Sequence, residues 1–304
     1  MEMKNKLYND LSSYLKELFG TKIYKITIDA GLTCPNRVSG GGCIYCNDRG
    51  SGTGLFSKGI SIEEQIRIGM EGLKGKYKKI GGYIAYFQSY TNTFAPVPVL
   101  EKNWSIIRNF KEIVGLSVGT RPDCLPEEVL MLLNEYSKDY KVFLELGLQT
   151  IDDNLLKWIN RGHSVADFVD AVKRASKYDF HIVAHIIIGF MGQNRDDMIK
   201  LAKFLSKENI HGVKIHLLYV AKNSPLEKEY EKGNFVPIER ERYIELVCTF
   251  LEHLRYDIVI HRLTGDAHRG ELIAPKWSED KAGVLRDIQN FMEKEGIFQG
   301  KMWI

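Results

Sequence analysis

The chain of 304 residues, 44% hydrophobic and 27% charged, has the make-up of a globular protein with one substantial buried core. Its 42 basic and 39 acidic side chains leave a formal charge of only +3, which excludes an argument for nucleic-acid binding from bulk charge. Five cysteines with three clustered do not make a disulfide framework, and the N-terminal residues alternate apolar and charged positions instead of forming a signal-peptide core, so a reducing cytoplasm is the expected compartment.

In chain order, residues 1–22 read as an amphipathic helix and residues 22–31, KIYKITIDAG, as a strand ending in glycine. A cysteine-bearing loop follows. Ser61 then precedes Glu63, Glu64 and an apolar-periodic run to Tyr77, the pattern of a capped helix. Strands at 82–89, 115–120, 141–150, 181–190 and 212–220 alternate with helices at 97–110, 126–136, 165–178, 195–206 and 238–255. The most apolar stretch, 182–191, contains His185 and is too short to cross a bilayer, so no membrane partner is expected. Strands alternating with long helices argue for parallel βα units joined by right-handed crossovers. The expected fold is therefore α/β, an incomplete TIM-like (βα)6 barrel with an N-terminal helix and a C-terminal capping extension, divided as residues 1–22, 23–256 and 257–304. Chemistry in such barrels collects at the carboxyl ends of the strands, where the motifs below fall.

The stretch TCPNRVSGGGCIYCN carries Cys34, Cys43 and Cys46, with eight residues between the first two and two between the last pair. Gly40, Gly41 and Gly42 let the loop fold all three sulfurs onto one small object. Thiolates select zinc or iron-sulfur clusters, and both ordinarily take four protein ligands. With no fourth Cys or His nearby, one position is left for a small molecule; a zinc knob completed by Cys124 or a distant histidine is the competing reading.

This arrangement resembles the radical S-adenosylmethionine enzymes. The resemblance implies that Cys34, Cys43 and Cys46 hold three irons of a 4Fe-4S cluster while S-adenosylmethionine chelates the fourth. An electron from the reduced cluster would then cleave the sulfonium to a 5'-deoxyadenosyl radical, and an external donor such as flavodoxin or ferredoxin would supply that electron. The segments TRPD (120–123), ELGLQT (145–150) and NRGHS (160–164) are similar to the radical domain of the elongator catalytic subunit, and RLTGDA (262–267) with APKW (274–277) to the YhcC/YtqA-type (MnmL-like) radical proteins. The likeness to the latter runs from about residue 23 to residue 277.

The resemblance implies adenosylmethionine contacts from Tyr45, Asn47, Gln88, Glu145, Gln149, Arg161 and His185. Tyr45 would lie beside adenine or shield the cluster; Asn47 and Asp48 would orient loop amides or simply make a turn. Glu145 and Gln149 share one face of the fourth strand, and a charged Glu there needs a partner, either the cofactor or an ion pair with Arg121 or Arg161. Arg161 would take the methionyl carboxylate through its planar fork, or cap a helix. Gln88 stands where the family has a Gly-Gly-Glu pattern, and His163 is a turn residue or a catalyst. HIIIGFMGQ (185–193) would bring an apolar strand end against adenine. Catalytic candidates are Cys124, Lys214, Asp266 and His268, with Arg269 and His216 beside them; core packing and surface ion pairs explain the same residues.

Relationship to the elongator subunit implies tRNA as the substrate class. The chain ends without an acetyltransferase domain, so the expected reaction remodels an existing 5-substituent of the wobble uridine, carboxymethylaminomethyl to aminomethyl. Only Cys124 and Cys248 remain for an auxiliary cluster, which disfavours methylthio transfer. Alternatives are a radical enzyme acting on a non-RNA substrate, or a noncatalytic metal-bound RNA-binding module using Lys74, Lys76, Lys78 and Lys79, a run that otherwise reads as a solvated helix end.

Overall fold

Branched and aromatic residues dominate the segments IYKITI, GYIAYF, IVGLSVGT, KVFLELGLQ, HIVAHIII and GVKIHL, and each forms a strand covered on both faces. The computed structural model describes residues 6–50, 52–265, 267 and 270–303. The elements run α1 (Leu11–Phe19), β1 (Ile23–Ile28), α2 (Pro35–Gly40), α3 (Ile62–Lys74), β2 (Gly82–Phe87), α4 (Val97–Trp104), β3 (Ile113–Thr120), α5 (Glu127–Ser137), β4 (Lys141–Gln149), α6 (Asp153–Trp158), α7 (Val165–Ala175) and β5 (His181–Ile188). They continue with α8 (Arg195–Lys207), β6 (Gly212–Leu217), β7 (Val220–Ala221), α9 (Pro225–Glu231), α10 (Arg240–His253), β8 (Val259–Arg262), β9 (Leu272–Ala274) and α11 (Lys281–Lys294).

One parallel sheet of seven strands, ordered β1-β2-β3-β4-β5-β6-β8, forms the incomplete TIM-like barrel that the strand-helix alternation predicts. The six expected strands are joined by β8, drawn from the segment read as a capping extension. Its four residues, VIHR, are too short and too polar at one end to stand out as a strand. The helices α6 and α9 are equally short, and the expected helix 97–110 ends at Trp104, continuing as a 3-10 turn over Ser105–Asn109. Residues of α11 add a further amphipathic helix packed on α10.

Local signals start the helices where the sequence places them. The Ser61 hydroxyl accepts from the Glu64 amide at 3.2 Å to open α3, and reciprocal capping boxes, Ser164 with Asp167 and Asn194 with Asp197, open α7 and α8. At the amino ends of the strands, α1 closes the barrel through Leu15, Ile23, Ile84 and Phe143. Lys74 and Lys78 lie at this same closed end, ahead of β2, so the basic run stands away from the open, carboxyl-terminal mouth. No helix among the described residues is long and apolar enough to cross a membrane.

Gln65 on α3 links the helical layer to the mouth. Its side chain accepts from the Asp29 amide at 2.8 Å and donates to the carbonyls of Asp29 at 2.8 Å and Ile60 at 3.0 Å, fixing the chain as it leaves β1 for the cysteine loop. Gln65→Ala strands three backbone groups out of reach of water and is expected to cost about 2–3 kcal/mol, read as a lowered urea midpoint with unchanged slope.

Candidate active site

The cysteine loop is shaped by its own backbone. Cys34 precedes α2 in extended conformation, and Gly41 and Gly42 follow at φ of 75° and 88°, left-handed values that turn Cys43 back towards Cys34. The amide of Cys46 donates to the carbonyl of Cys43 at 3.0 Å, so the last thiol arrives through a tight turn. Asn160, beyond α6, donates to the carbonyls of Gly40 and Gly42 at 2.8 and 2.7 Å, and the Ile44 amide donates to Ile159 at 3.0 Å. The loop is thus clamped to the segment that follows β4.

All three thiols line one cavity of about 240 Å³ at the barrel mouth. Arg161 Nη1 stands 3.7 Å and Asn36 Nδ2 3.6 Å from Cys43 Sγ, while Arg121 Nη1 stands 4.0 Å from Cys34 Sγ. Hydrogen bonding with Cys46 and the charge of Arg161 hold the Cys43 thiol well below its ordinary value, against the opposing effect of burial. Among the described residues, no three His, Cys, Asp or Glu donors converge as one metal ion requires. Three soft thiols are a donor set that fits an iron-sulfur cluster.

Arg161 reaches the thiols because Gly147 leaves room. A Cβ at Gly147 would lie 2.3 Å from Arg161 Nη2 and 2.7 Å from Gln149 Nε2. The guanidinium donates to the Gly147 carbonyl at 3.1 Å and to His163 Nε2 at 2.8 Å. Burial and the adjacent Arg161 charge push His163 down to about 4, so the imidazole is neutral and acts as a prop. Arg121 is spent otherwise, in a two-pronged pair with Asp123 at 2.9 and 2.6 Å. Arg161 has no carboxylate partner among the described residues. Gln149 closes β4 at a φ of 73°, a strained value that turns it towards the cavity.

Below the thiols lies a charged layer inside the barrel. Glu145 Oε1 receives Lys25 Nζ at 2.5 Å and the Ser117 hydroxyl at 2.7 Å; Oε2 receives Lys214 Nζ at 3.0 Å and His185 Nε2 at 2.6 Å. Burial opposes ionisation of Glu145, but Lys214, Lys25 and His185 outweigh it and hold the carboxyl well below its ordinary range. Burial pushes Lys214 down to about 7 despite the pull of Glu145, and His185 down to about 4. His216 Nε2 meets His185 Nδ1 at 3.2 Å, and Arg262 Nη2 donates to His216 Nδ1. Both imidazoles are neutral, so each donates at Nε2 and accepts at Nδ1, a chain running from Arg262 to Glu145.

Of the residues expected to contact the cofactor, Tyr45, Gln88, Glu145, Gln149, Arg161 and His185 line the cavity together. Asn47 does not. Its amide donates to Glu271 Oε2 at 2.9 Å and its oxygen accepts from the Arg49 amide at 3.1 Å, bracing the loop against the C-terminal segment. Glu145 pairs with neither Arg121 nor Arg161, and its oxygens are filled by the four protein donors before any ligand arrives. Cys124 sits in the turn Pro122–Cys124 outside the cavity lining, its thiol pushed up to about 12 by burial and Asp123. Lys214 is held under Tyr86 and Glu145, while His216 does reach the cavity. Asp266, His268 and Arg269 lie outside the described residues. Lys25, Tyr86, Tyr90 and Arg262 escaped the sequence reading. A lone charge in the apolar run IYKITI was the available signal for Lys25, the same argument that singled out Glu145.

The radical SAM superfamily model matches residues 31–205, and the radical SAM C-terminal domain model matches residues 210–294. YtqA of Bacillus subtilis is 38% identical over 301 residues, 98% of this chain and 93% of that protein. A tRNA uridine(34) acetyltransferase of Methanocaldococcus infernus is 29% identical over 191 residues, 60% of this chain and 34% of that protein. Among solved structures, the archaeal Methanocaldococcus infernus Elp3 lacking its N-terminus superposes with a TM-score of 0.68 at 19% identity, covering 91% of this chain and 64% of that one. The structural likeness is one of fold.

Two substitutions test this geometry. Glu145→Gln leaves Lys25 and Lys214 buried without a counter-charge and is expected to cost about 3–5 kcal/mol at pH 7. Because the folded Glu145 carboxyl titrates below its ordinary 4.5, its contribution is complete above that value and is lost as pH falls through the depressed one; calorimetry should show the variant's deficit shrinking on acidification. Gly147→Ala forces Arg161 aside and is expected to weaken S-adenosylmethionine binding by roughly tenfold or more, measured by equilibrium dialysis, with a smaller effect on melting temperature.

Proposed function

This chain belongs to the radical S-adenosylmethionine superfamily, whose members pair a 4Fe-4S cluster with S-adenosylmethionine, and from that premise we propose that Cys34, Cys43 and Cys46 hold the cluster in an enzyme that remodels the 5-substituent of the wobble uridine of tRNA. When bound, the reduced cluster supplies the electron that splits S-adenosylmethionine to a 5'-deoxyadenosyl radical. The chain's own residues bind and orient. Arg161, charged, buried and without a carboxylate partner among the described residues, takes the methionyl carboxylate beside Cys43. Gln88 and Gln149, at the ends of β2 and β4, border the same space with Tyr45.

Identity to the tRNA uridine(34) acetyltransferase, 29% over 60% of this chain, is the observation that carries the substrate class. The match covers 34% of that relative, so its acetyl transfer is not carried across. The reaction proposed here converts carboxymethylaminomethyluridine to aminomethyluridine: abstraction from the methylene between nitrogen and carboxylate gives a stabilised radical, loss of one electron to an external acceptor would give an imine, and its hydrolysis would break the nitrogen-carbon bond to release the aminomethyl product and glyoxylate. Phe56, Phe94 and Trp158 remain exposed on segments leaving β1, β2 and β4, and so stand at the mouth, where nucleobases can stack. The lysines at the closed end take no part in this contact.

Nucleosides from tRNA incubated anaerobically with reconstituted enzyme, reductant and S-adenosylmethionine supply the test by mass spectrometry. Carboxymethylaminomethyluridine is expected to fall as aminomethyluridine rises, with release of 5'-deoxyadenosine. Cys34→Ala, Cys43→Ala or Cys46→Ala is expected to abolish both signals, and Cys124→Ala to leave both. Unchanged tRNA accompanied by 5'-deoxyadenosine would overturn the tRNA reading alone.

A further inference from the structure

Among the described residues, four arginines line the cavity, Arg37, Arg121, Arg161 and Arg262, against a single lining carboxylate, Glu145. Arg37 pairs with Asp48 and Arg121 with Asp123. Glu145 is already shared by Lys25 and Lys214. Two guanidinium groups therefore face the cavity with no carboxylate among the described residues, and they stand on different walls. Arg161 follows β4, whereas Arg262 ends β8, three strand positions further along the sheet.

The Arg262 side chain is prepared for a ligand. Its Nη2 is fixed by the neutral His216, and its buried Nε has no hydrogen-bond partner among the described residues. A half-buried guanidinium without a counter-charge is favoured by a bound anion. Gly265 lets the chain after β8 pass close to β6, since a Cβ there would stand 3.3 Å from the Leu217 nitrogen. The Arg262-His216-His185-Glu145 chain locks its orientation.

We propose that Arg262, oriented by His216, binds a terminal carboxylate of the substrate at the β8 edge of the cavity. A terminal group is required because a phosphodiester carries a sugar on each side and cannot end inside a walled cavity. The planar guanidinium of Arg262, its Nη2 held by His216, matches a carboxylate through its terminal nitrogens. This assignment rests on the uridine reading above, in which the carboxymethylaminomethyl substituent supplies that carboxylate. It makes Arg262 the residue that distinguishes the acidic substrate from its aminomethyl product, which lacks the carboxylate.

The test uses the reconstituted holoenzyme with S-adenosylmethionine and no reductant, so that binding is read without turnover. Two probes are compared, an anticodon stem-loop carrying carboxymethylaminomethyluridine and the same RNA with a carboxamide in place of the carboxylate. The wild type is expected to prefer the carboxylate RNA by at least about tenfold. Arg262→Gln should erase that preference while changing carboxamide binding less than about threefold, and Arg262→Lys, which retains charge without the fork, should keep part of it. A preference undiminished in Arg262→Gln overturns the proposal; if that variant does not fold, an undiminished preference in Arg262→Lys does so. The free nucleosides, acid and carboxamide, form a second arm. Discrimination by the nucleosides that depends on Arg262, without any RNA binding, sinks the tRNA reading and leaves the carboxylate site standing. Equal wild-type affinity for acid and carboxamide in both arms sinks the site.

Discussion

Burying Glu145 inside the barrel is possible only because its two oxygens meet four donors from four other strands: Lys25 of β1, Ser117 of β3, His185 of β5 and Lys214 of β6. Tyr86 of β2 joins through the Lys214 ammonium at 2.8 Å. An unpaired buried carboxylate would lose several kcal/mol of solvation, so strand register and charge pairing must be satisfied together. Apolar side chains meanwhile face outward beneath the helices, where the main core lies. Above the apolar plug of Ile23, Ile84 and Phe143, the inner face carries polar groups, which hold a cavity open instead of filling it.

The thiol loop is built on that floor, and its stability comes from outside the loop. Asn160 and Ile159 beyond β4 grip its glycine turn, Gln65 of α3 grips its entrance, and Asn47 ties its exit to Glu271. Gly147 matters for a similar reason. By having no side chain, it lets a guanidinium from the next segment cross β4 and reach a sulfur. Positive charge beside thiolates offsets the accumulation of negative charge that three of them would create in a buried place.

Charge divides the cavity into two halves. On the thiol side, Arg161 and Arg121 stand next to Cys43 and Cys34; at the β8 edge, Arg262 and two neutral histidines cover the layer of Glu145. A cofactor and a substrate bound side by side would each find one uncompensated arginine. Such a division suits chemistry on a radical, where both partners must be held close and water kept out.

Much of the fold was legible from one dimension. Strand-length apolar runs alternating with capped helices dictate parallel βα units, and parallel units place loop chemistry at one end of the sheet. The three cysteines declared themselves by spacing, and Glu145 by being a charge on a buried strand. What the sequence could not decide was pairing across the barrel. Whether Glu145 would meet Arg121, Arg161, a ligand or lysines from β1 and β6 depends on which strands face one another, and those lysines lie 120 and 69 residues away in the chain. The same holds for β8, whose four residues become a strand only because β6 offers an open edge, and for Arg262, which faces the cavity only once β8 has closed that edge. Local pattern determines elements because periodicity and capping act between neighbours; only the closed sheet, which brings distant side chains within bonding range, determines which charges are spent on the fold and which are left for a ligand.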